Sequence, residues 1–212
     1  MQLDIVIDVV CPWCYVGKKQ LDKALEMRPG VISNLRWRPY QLGPDTPEEG
    51  IDRAAYYLKK FGDSPQYKAM RKHLLTVGTE LGINFDFESS CTIANTLDAH
   101  RLIRWAFGPN AQTAVVEDLM QRYFEDCAFL GDHDLLADVA EKAGMDGALV
   151  RELLVSDKDQ ELVRDEIFQA AQMGIQGVPM FIFNGKAGVS GAQTASVLVG
   201  VMDKLQADAS AT

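Results

Sequence analysis

The 212-residue sequence predicts an α/β protein in which a βαβ…ββα sheet unit is split by a large all-helical insertion. Three observations carry that expectation. A strand–helix–strand pattern opens the chain, a hairpin and a helix close it, and the stretch between has helical periodicity. The expected division gives residues 1–43 and 158–212 to the sheet unit and 44–157 to the insertion.

Residues 2–10 read as a strand, with Leu3, Ile5, Ile7 and Val9 alternating on one face. Past Cys11-Pro12-Trp13-Cys14 a helix follows, marked by Tyr15, Leu21, Ala24 and Leu25, until Pro29-Gly30 stops it. Val31-Ile32 and Leu35-Arg36-Trp37 form the next extended run. From Pro44 to Ser156 strand-like runs disappear. The clearest helical stripe joins Val115, Val116, Leu119, Met120, Tyr123, Phe124 and Cys127, with weaker stripes over 51–61, 65–81, 93–107, 134–143 and 147–155. A helix over 158–173 ends at Gly174. Residues 179–184 and 186–190 are hairpin strands about Asn184-Gly185, and 192–206 is the last helix, with a tail expected to fray.

The composition, 47% hydrophobic and 24% charged, belongs to a folded globular protein. Thirty acidic against 21 basic side chains leave a net charge of −9 and no basic block, which argues against nucleic-acid or anionic-membrane partners. Residues 1–10 carry Asp4 and Asp8 and no export-signal pattern, and no stretch approaches the ~18 apolar residues of a membrane span. Of four cysteines, two lie three apart, which points to reactive thiols in a reducing compartment rather than structural disulfides. A cytoplasmic location is therefore expected.

Cys11-Pro12-Trp13-Cys14 is the strongest chemical signal. It follows a strand and opens a helix, the context that makes C-x-x-C a redox motif. A helix start offers unpaired N–H groups and the positive end of the dipole, so a thiolate there is favoured over a thiol. Pro12 suits the first turn because its fixed φ fits the helix and its missing N–H costs nothing. Cys11 is expected to be the exposed sulfur that exchanges with substrate. Cys14, one turn on and pointing inward, would be the thiol that resolves the mixed disulfide. Trp13 would set the polarity around Cys11 and touch substrates. Zinc would need four ligands, and Cys91, Cys127, His73, His100 and His133 lack ligand spacing, so no metal is expected.

Gly177-Val178-Pro179 is the second signal. A proline opening a strand tolerates its lost N–H, and its peptide bond can be cis, although trans is the commoner state. Beside the cysteines, the Val178 backbone would be free to pair with an extended substrate.

These two motifs, flanking a helical insert, resemble the DsbA family of thiol oxidoreductases, and within it the FrnE-like proteins. Asp8-Val9-Val10-Cys11-Pro12-Trp13-Cys14, Arg38-Pro39-Tyr40-Gln41-Leu42, Asn95-Thr96-Leu97-Asp98-Ala99-His100-Arg101-Leu102 and Val189-Ser190-Gly191-Ala192-Gln193 look like that subfamily's pattern. The resemblance implies a thioredoxin fold, a cis Pro179, and dithiol–disulfide exchange with proteins or peptides without a required cofactor. The same branch includes the kappa-class glutathione transferases and 2-hydroxychromene-2-carboxylate isomerase, which is the rival reading, with glutathione as co-substrate. Those enzymes generally put serine at the position of Cys11 and Gly-Ser-Asp before the last helix. Here Gly191-Ala192-Gln193 lacks the acid, although a helix start at Gln193 would still receive a carboxylate. A third reading is a chaperone-like protein that uses the groove without turnover.

Asp8 is a candidate proton relay for Cys14, set against an ordinary, partly solvated strand-end acid. Asn95 and His100 are candidate substrate or glutathione contacts, set against an N-cap asparagine and a satisfied helix histidine. Cys127 reads as core and Cys91 as a bystander at a helix start. Redox direction and oligomeric state, monomer or homodimer, stay open.

Overall fold

In the computed structural model, which describes residues 1–210, strand β1 (Gln2–Ile7) is buried from Leu3 to Ile7. A strand reads this way when both faces of its sheet are covered. Leu3, Ile5 and Ile7 join the main core beneath α1 (Pro12–Met27) through Leu21 and Ala24. Val6 faces the other way, toward Ala170, Ile175 and Ile182. The sheet has the order β2-β1-β5-β6. β2 (Asn34–Pro39) runs parallel to β1, whereas β5 (Met180–Phe183) and β6 (Ala187–Ser190) run antiparallel to their neighbours. This is the βαβ…ββα thioredoxin arrangement. The β5–β6 turn uses Asn184 and Gly185, both at positive φ, as a tight hairpin requires.

Between β2 and α8 (Gln160–Gln172) lie α2 (Arg53–Phe61), α3 (Pro65–Glu80), α4 (Leu97–Trp105), α5 (Gln112–Phe124), α6 (His133–Lys142) and α7 (Gly147–Val155). The α5 stripe expected from spacing is the buried one: Val115, Val116, Leu119, Met120, Tyr123 and Phe124 share the core cluster of β1 and α1. Arg101 on α4 is fully buried. Its guanidinium donates to the carbonyl oxygens of Leu153, Leu154, Ser156 and Lys158 and pairs with Asp98 at 2.7 Å.

Several expectations need correction. The insertion is not free of strands: β3 (Ile51–Asp52) and β4 (Thr92–Ile93) pair antiparallel. Two residues each are too few to leave a period-two pattern. Strand β2 begins at Asn34, so Val31 and Ile32 precede it. The last helix, α9 (Ala195–Ser210), starts three residues later than expected and runs on through Ala207 to Ser210. Thr212, the end of the tail expected to fray, lies outside the described residues. Cys91 and Cys127 are neither bystander nor core filler but a disulfide with Cα atoms 5.3 Å apart. Folding, not spacing, brings them together across 36 residues of sequence.

Candidate active site

Cys11 caps α1, with extended backbone angles and Pro12 in the first helical turn. Its carbonyl accepts from the Cys14 amide at 2.9 Å, which sets the two cysteines on one short turn. Both are free thiols. Cys14 is 0% exposed, and burial, reinforced by its hydrogen bond and charge interaction with Cys11, pushes its thiol well above the ordinary cysteine range. Such a thiol keeps its proton until something takes it.

Cys11, expected to be exposed, is only 5% exposed. It sits at the edge of a cavity whose walls come from the α2–α3 arm, and Trp13 and Val178 flank it. Trp13 is half-buried and packs on His73 of α3, ring centres 5.8 Å apart. Access to the sulfur is therefore through the cavity, a feature that strand and helix patterns do not encode.

The Val178–Pro179 peptide is cis, and the Cys11 thiol donates to the Val178 carbonyl at 3.7 Å. α1 comes down on this segment at Gly17, where an added Cβ would lie 2.9 Å from Pro179 Cγ. The Pro179 carbonyl accepts from the Gly191 amide at 2.9 Å, which ties the β6–α9 turn to the same place.

Asp8 is fully buried rather than partly solvated. Its Oδ2 accepts from the Leu42 amide at 2.7 Å, and its Oδ1 lies 3.6 Å from His100 Nε2. His100 Nε2 is also 2.9 Å from the Tyr40 carbonyl oxygen, while its Nδ1 has no partner. Asp8 and His100 thus meet beneath the cysteines, with Asp8 on the cavity wall.

Asn95 does not join them. Its Oδ1 accepts from the Gln41 side chain and the Leu97 amide, and its Nδ2 donates to the Thr46 carbonyl at 2.8 Å. It ties the 42–46 turn to the start of α4 and offers nothing to a ligand. Gly191, Ala192 and Gln193 also lie off the cavity wall. Gln193 Nε2 donates to the Ser190 carbonyl, Thr194 precedes the helix, and the Ala195 amide already donates to Gln20 at 2.9 Å. The carboxylate-binding helix start expected at Gln193 is therefore corrected: the helix begins later and its first amide is taken.

Sequence reasoning missed the cavity itself, about 550 Å³, walled by Tyr56, Tyr57, Phe61, Tyr67, Met70 and Phe87. The aromatic density of 56–67 was the available signal. In a helix with little buried surface, aromatics at that density mark a face kept for something else. Arg53 also lines the cavity. It is 2% exposed, its Nη2 donates to the Asp86 and Ser89 carbonyls, and its Nη1 has no partner.

The sheet order, the C-x-x-C at the mouth of α1 and the proline segment facing it define a thioredoxin-fold protein. The chain belongs to the DSBA-like thioredoxin domain family, whose match spans residues 2–203. It is 29% identical to a probable DsbA oxidoreductase of Streptomyces coelicolor, with 96% of this chain and 89% of that one covered and a TM-score of 0.87. It superposes on a 2-hydroxychromene-2-carboxylate isomerase at TM-score 0.72, 17% identity and full coverage of both chains. The cytosolic disulfide reductase DsbM of Pseudomonas aeruginosa, solved also with GSH, gives 0.64 at 15% identity, covering 100% of this chain and 98% of DsbM. At those identities the last two show the fold alone. No helix among the described residues is long and apolar enough to cross a membrane.

Proposed function

We propose that the protein exchanges dithiols and disulfides through Cys11 and Cys14. The observation that carries this reading is the pairing of a solvent-sealed, proton-holding Cys14 with a Cys11 that caps a helix at the edge of a cavity. Cys11 attacks one sulfur of a substrate disulfide, or is attacked in the reverse direction. Cys14 then gives up its proton and attacks the Cys11 sulfur, which releases the substrate and closes a Cys11–Cys14 disulfide. Asp8, which shares the buried region with Cys14, is the group we assign to receive that proton, and the Leu42 amide holds Asp8 in place at 2.7 Å. No cofactor enters these steps as we propose them.

An insulin-reduction assay with dithiothreitol tests the reading. Wild-type protein should accelerate precipitation of the insulin B chain, and a Cys11→Ser variant of equal activity would refute it. Glutathione as co-substrate has one supporting observation, the DsbM structure with GSH. The Gln193 amide is held by the Gly191 carbonyl and the Ala195 amide by Gln20, which argues against the Gly-Ser-Asp type of site, so glutathione would bind elsewhere. A cytoplasmic location loses one of its supports, because Cys91 and Cys127 are cross-linked rather than free.

A further inference from the structure

We infer that the cavity beside Cys11 is built to take a small amphipathic disulfide, an aromatic or aliphatic body bearing a carboxylate. The inference rests on the exchange reading above and names its substrate class. The cavity's volume, about 550 Å³, lies within the range of small-molecule sites. Its wall is an aromatic ladder in which Tyr57 meets Phe61 at 6.0 Å and Phe61 stacks on Tyr67 at 5.3 Å.

Charge selects the other end of the ligand. The chain carries a net charge of −9, yet two cations on this wall, Arg53 and Lys60, make no ion pair, although the Asp86 carboxylate feels the Arg53 charge. Arg53 spends Nη2 on main-chain carbonyls and leaves Nη1 unpaired, a buried donor that costs stability until an acceptor meets it. The Tyr123 hydroxyl is buried beside Arg53, whose guanidinium lies 5.9 Å from that ring and acts on it. Lys60, exposed on the same wall, donates to the Tyr56 hydroxyl at 2.8 Å and lies over the Tyr56 and Phe61 rings, 5.1 and 5.7 Å from their centres. Among the described residues no carboxylate lies within ion-pair distance of Arg53 or Lys60. The acids on the wall are engaged elsewhere: Glu88 with Arg71, Asp63 with Lys68, and Asp8 with the Leu42 amide and His100. A ligand carboxylate is the missing partner, and a low-dielectric aromatic wall strengthens its attraction.

The chemistry balances without a further reagent. The Cys11 thiolate bonds to one ligand sulfur, and the other half leaves as a thiolate. Cys14, deprotonated, then bonds to the Cys11 sulfur and expels the second half. The protein loses two electrons and two protons, and the disulfide becomes two thiols.

The test compares the fully reduced protein's reaction with dithiobis-nitrobenzoate, an aromatic disulfide bearing carboxylates, and with dithiodipyridine, its uncharged counterpart. Wild type should saturate with the nitrobenzoate, and naphthoate, which has no sulfur, should compete. Arg53→Gln should lower the nitrobenzoate-to-pyridine rate ratio by roughly tenfold to a hundredfold, as truncating a buried charged partner does, and Arg53→Lys should recover part of it. Lys60→Gln, at an exposed position where folding is not at risk, should lower the ratio by about twofold to fivefold. An unchanged ratio in both variants, or no competition by naphthoate, overturns the carboxylate site while exchange with dithiodipyridine still stands. If neither disulfide oxidises Cys11 in the wild type, the exchange reading falls, and this inference with it.

Discussion

Gly17 is where the site's geometry can be pressed upon directly. It lies inside α1, and a methyl group there would stand 2.9 Å from Pro179 Cγ and 3.3 Å from Phe181 Cζ. Neither neighbour is the loose end of a flexible chain, so the helix or the proline segment must move. Overpacking of this kind costs about 1–3 kcal/mol. Replacing a mid-helix glycine with alanine returns about 1 kcal/mol through helix propensity. The net expectation for Gly17→Ala is therefore a loss of roughly 0–2 kcal/mol. Gly200→Ala supplies the control, because Gly200 sits in α9 with no atom near its missing Cβ. It should gain about 1 kcal/mol from the same propensity. Urea denaturation of both variants isolates the contact as the difference between them, about 1–3 kcal/mol. Because Pro179 is displaced from Cys11, exchange should also slow by roughly tenfold in Gly17→Ala alone, for a shift of about half an ångström. If Gly17→Ala proves as stabilising as Gly200→Ala, with full exchange rate, α1 does not clamp the proline segment and the geometric argument fails.

Three further outcomes are expected. Cys14 titrates in the folded state well above its ordinary value, so the stability its burial protects is complete below about pH 8.5, where unfolded cysteine is still protonated. That stability is lost as pH rises toward the folded value, at up to ~1.4 kcal/mol per pH unit, and urea titrations of the reduced protein between about pH 8 and about pH 10 should show a slope that Cys14→Ala removes. Above about pH 10 the raised values of buried Tyr15, Tyr57 and Tyr123 should add to the loss. Arg101→Met strands the carbonyls of residues 153–158 that the guanidinium satisfies, and should cost at least ~4 kcal/mol, read as a large fall in urea midpoint. Replacing Cys91 and Cys127 together by alanine opens a loop of 36 residues' separation and should cost about 4 kcal/mol on the chain-entropy account, with the Cys11–Cys14 exchange rate as the control for folding.

The parts of the molecule that repeat along the chain were legible in its sequence. The β1 run, the α5 stripe and the Asn-Gly turn each carry a local periodicity or turn chemistry, and each lies close to where that signal puts it. Cys11, Cys14 and the Val178–Pro179 segment were legible too, because their types and their places beside a strand and a helix are local facts. What could not be read depends on distant chain segments meeting. Cys91 finds Cys127 only when β4 docks beside the end of α5. Asp8 is buried because the 40–42 turn and α4 close over it, which no property of residues 2–10 announces. Cys11 was expected to be open, but the α2–α3 arm folds back and leaves it only a cavity. The start of α9 was misplaced because Gln193, though placed before an apolar run, turns its side chain back on Ser190. Arg53 was lost among charged residues of an amphipathic helix, since nothing in its neighbours tells a buried arginine from an exposed one.

A redox titration tests the account where it is most exposed. The protein is equilibrated across glutathione and dithiothreitol buffers, quenched with an alkylating agent and mapped by mass spectrometry. One two-electron transition is expected, in which Cys11 and Cys14 become linked to each other, separate from any change at Cys91 and Cys127. Cys11 and Cys14 remaining alkylatable as thiols across the whole range, or Cys11 linked to Cys91 or Cys127, would contradict it.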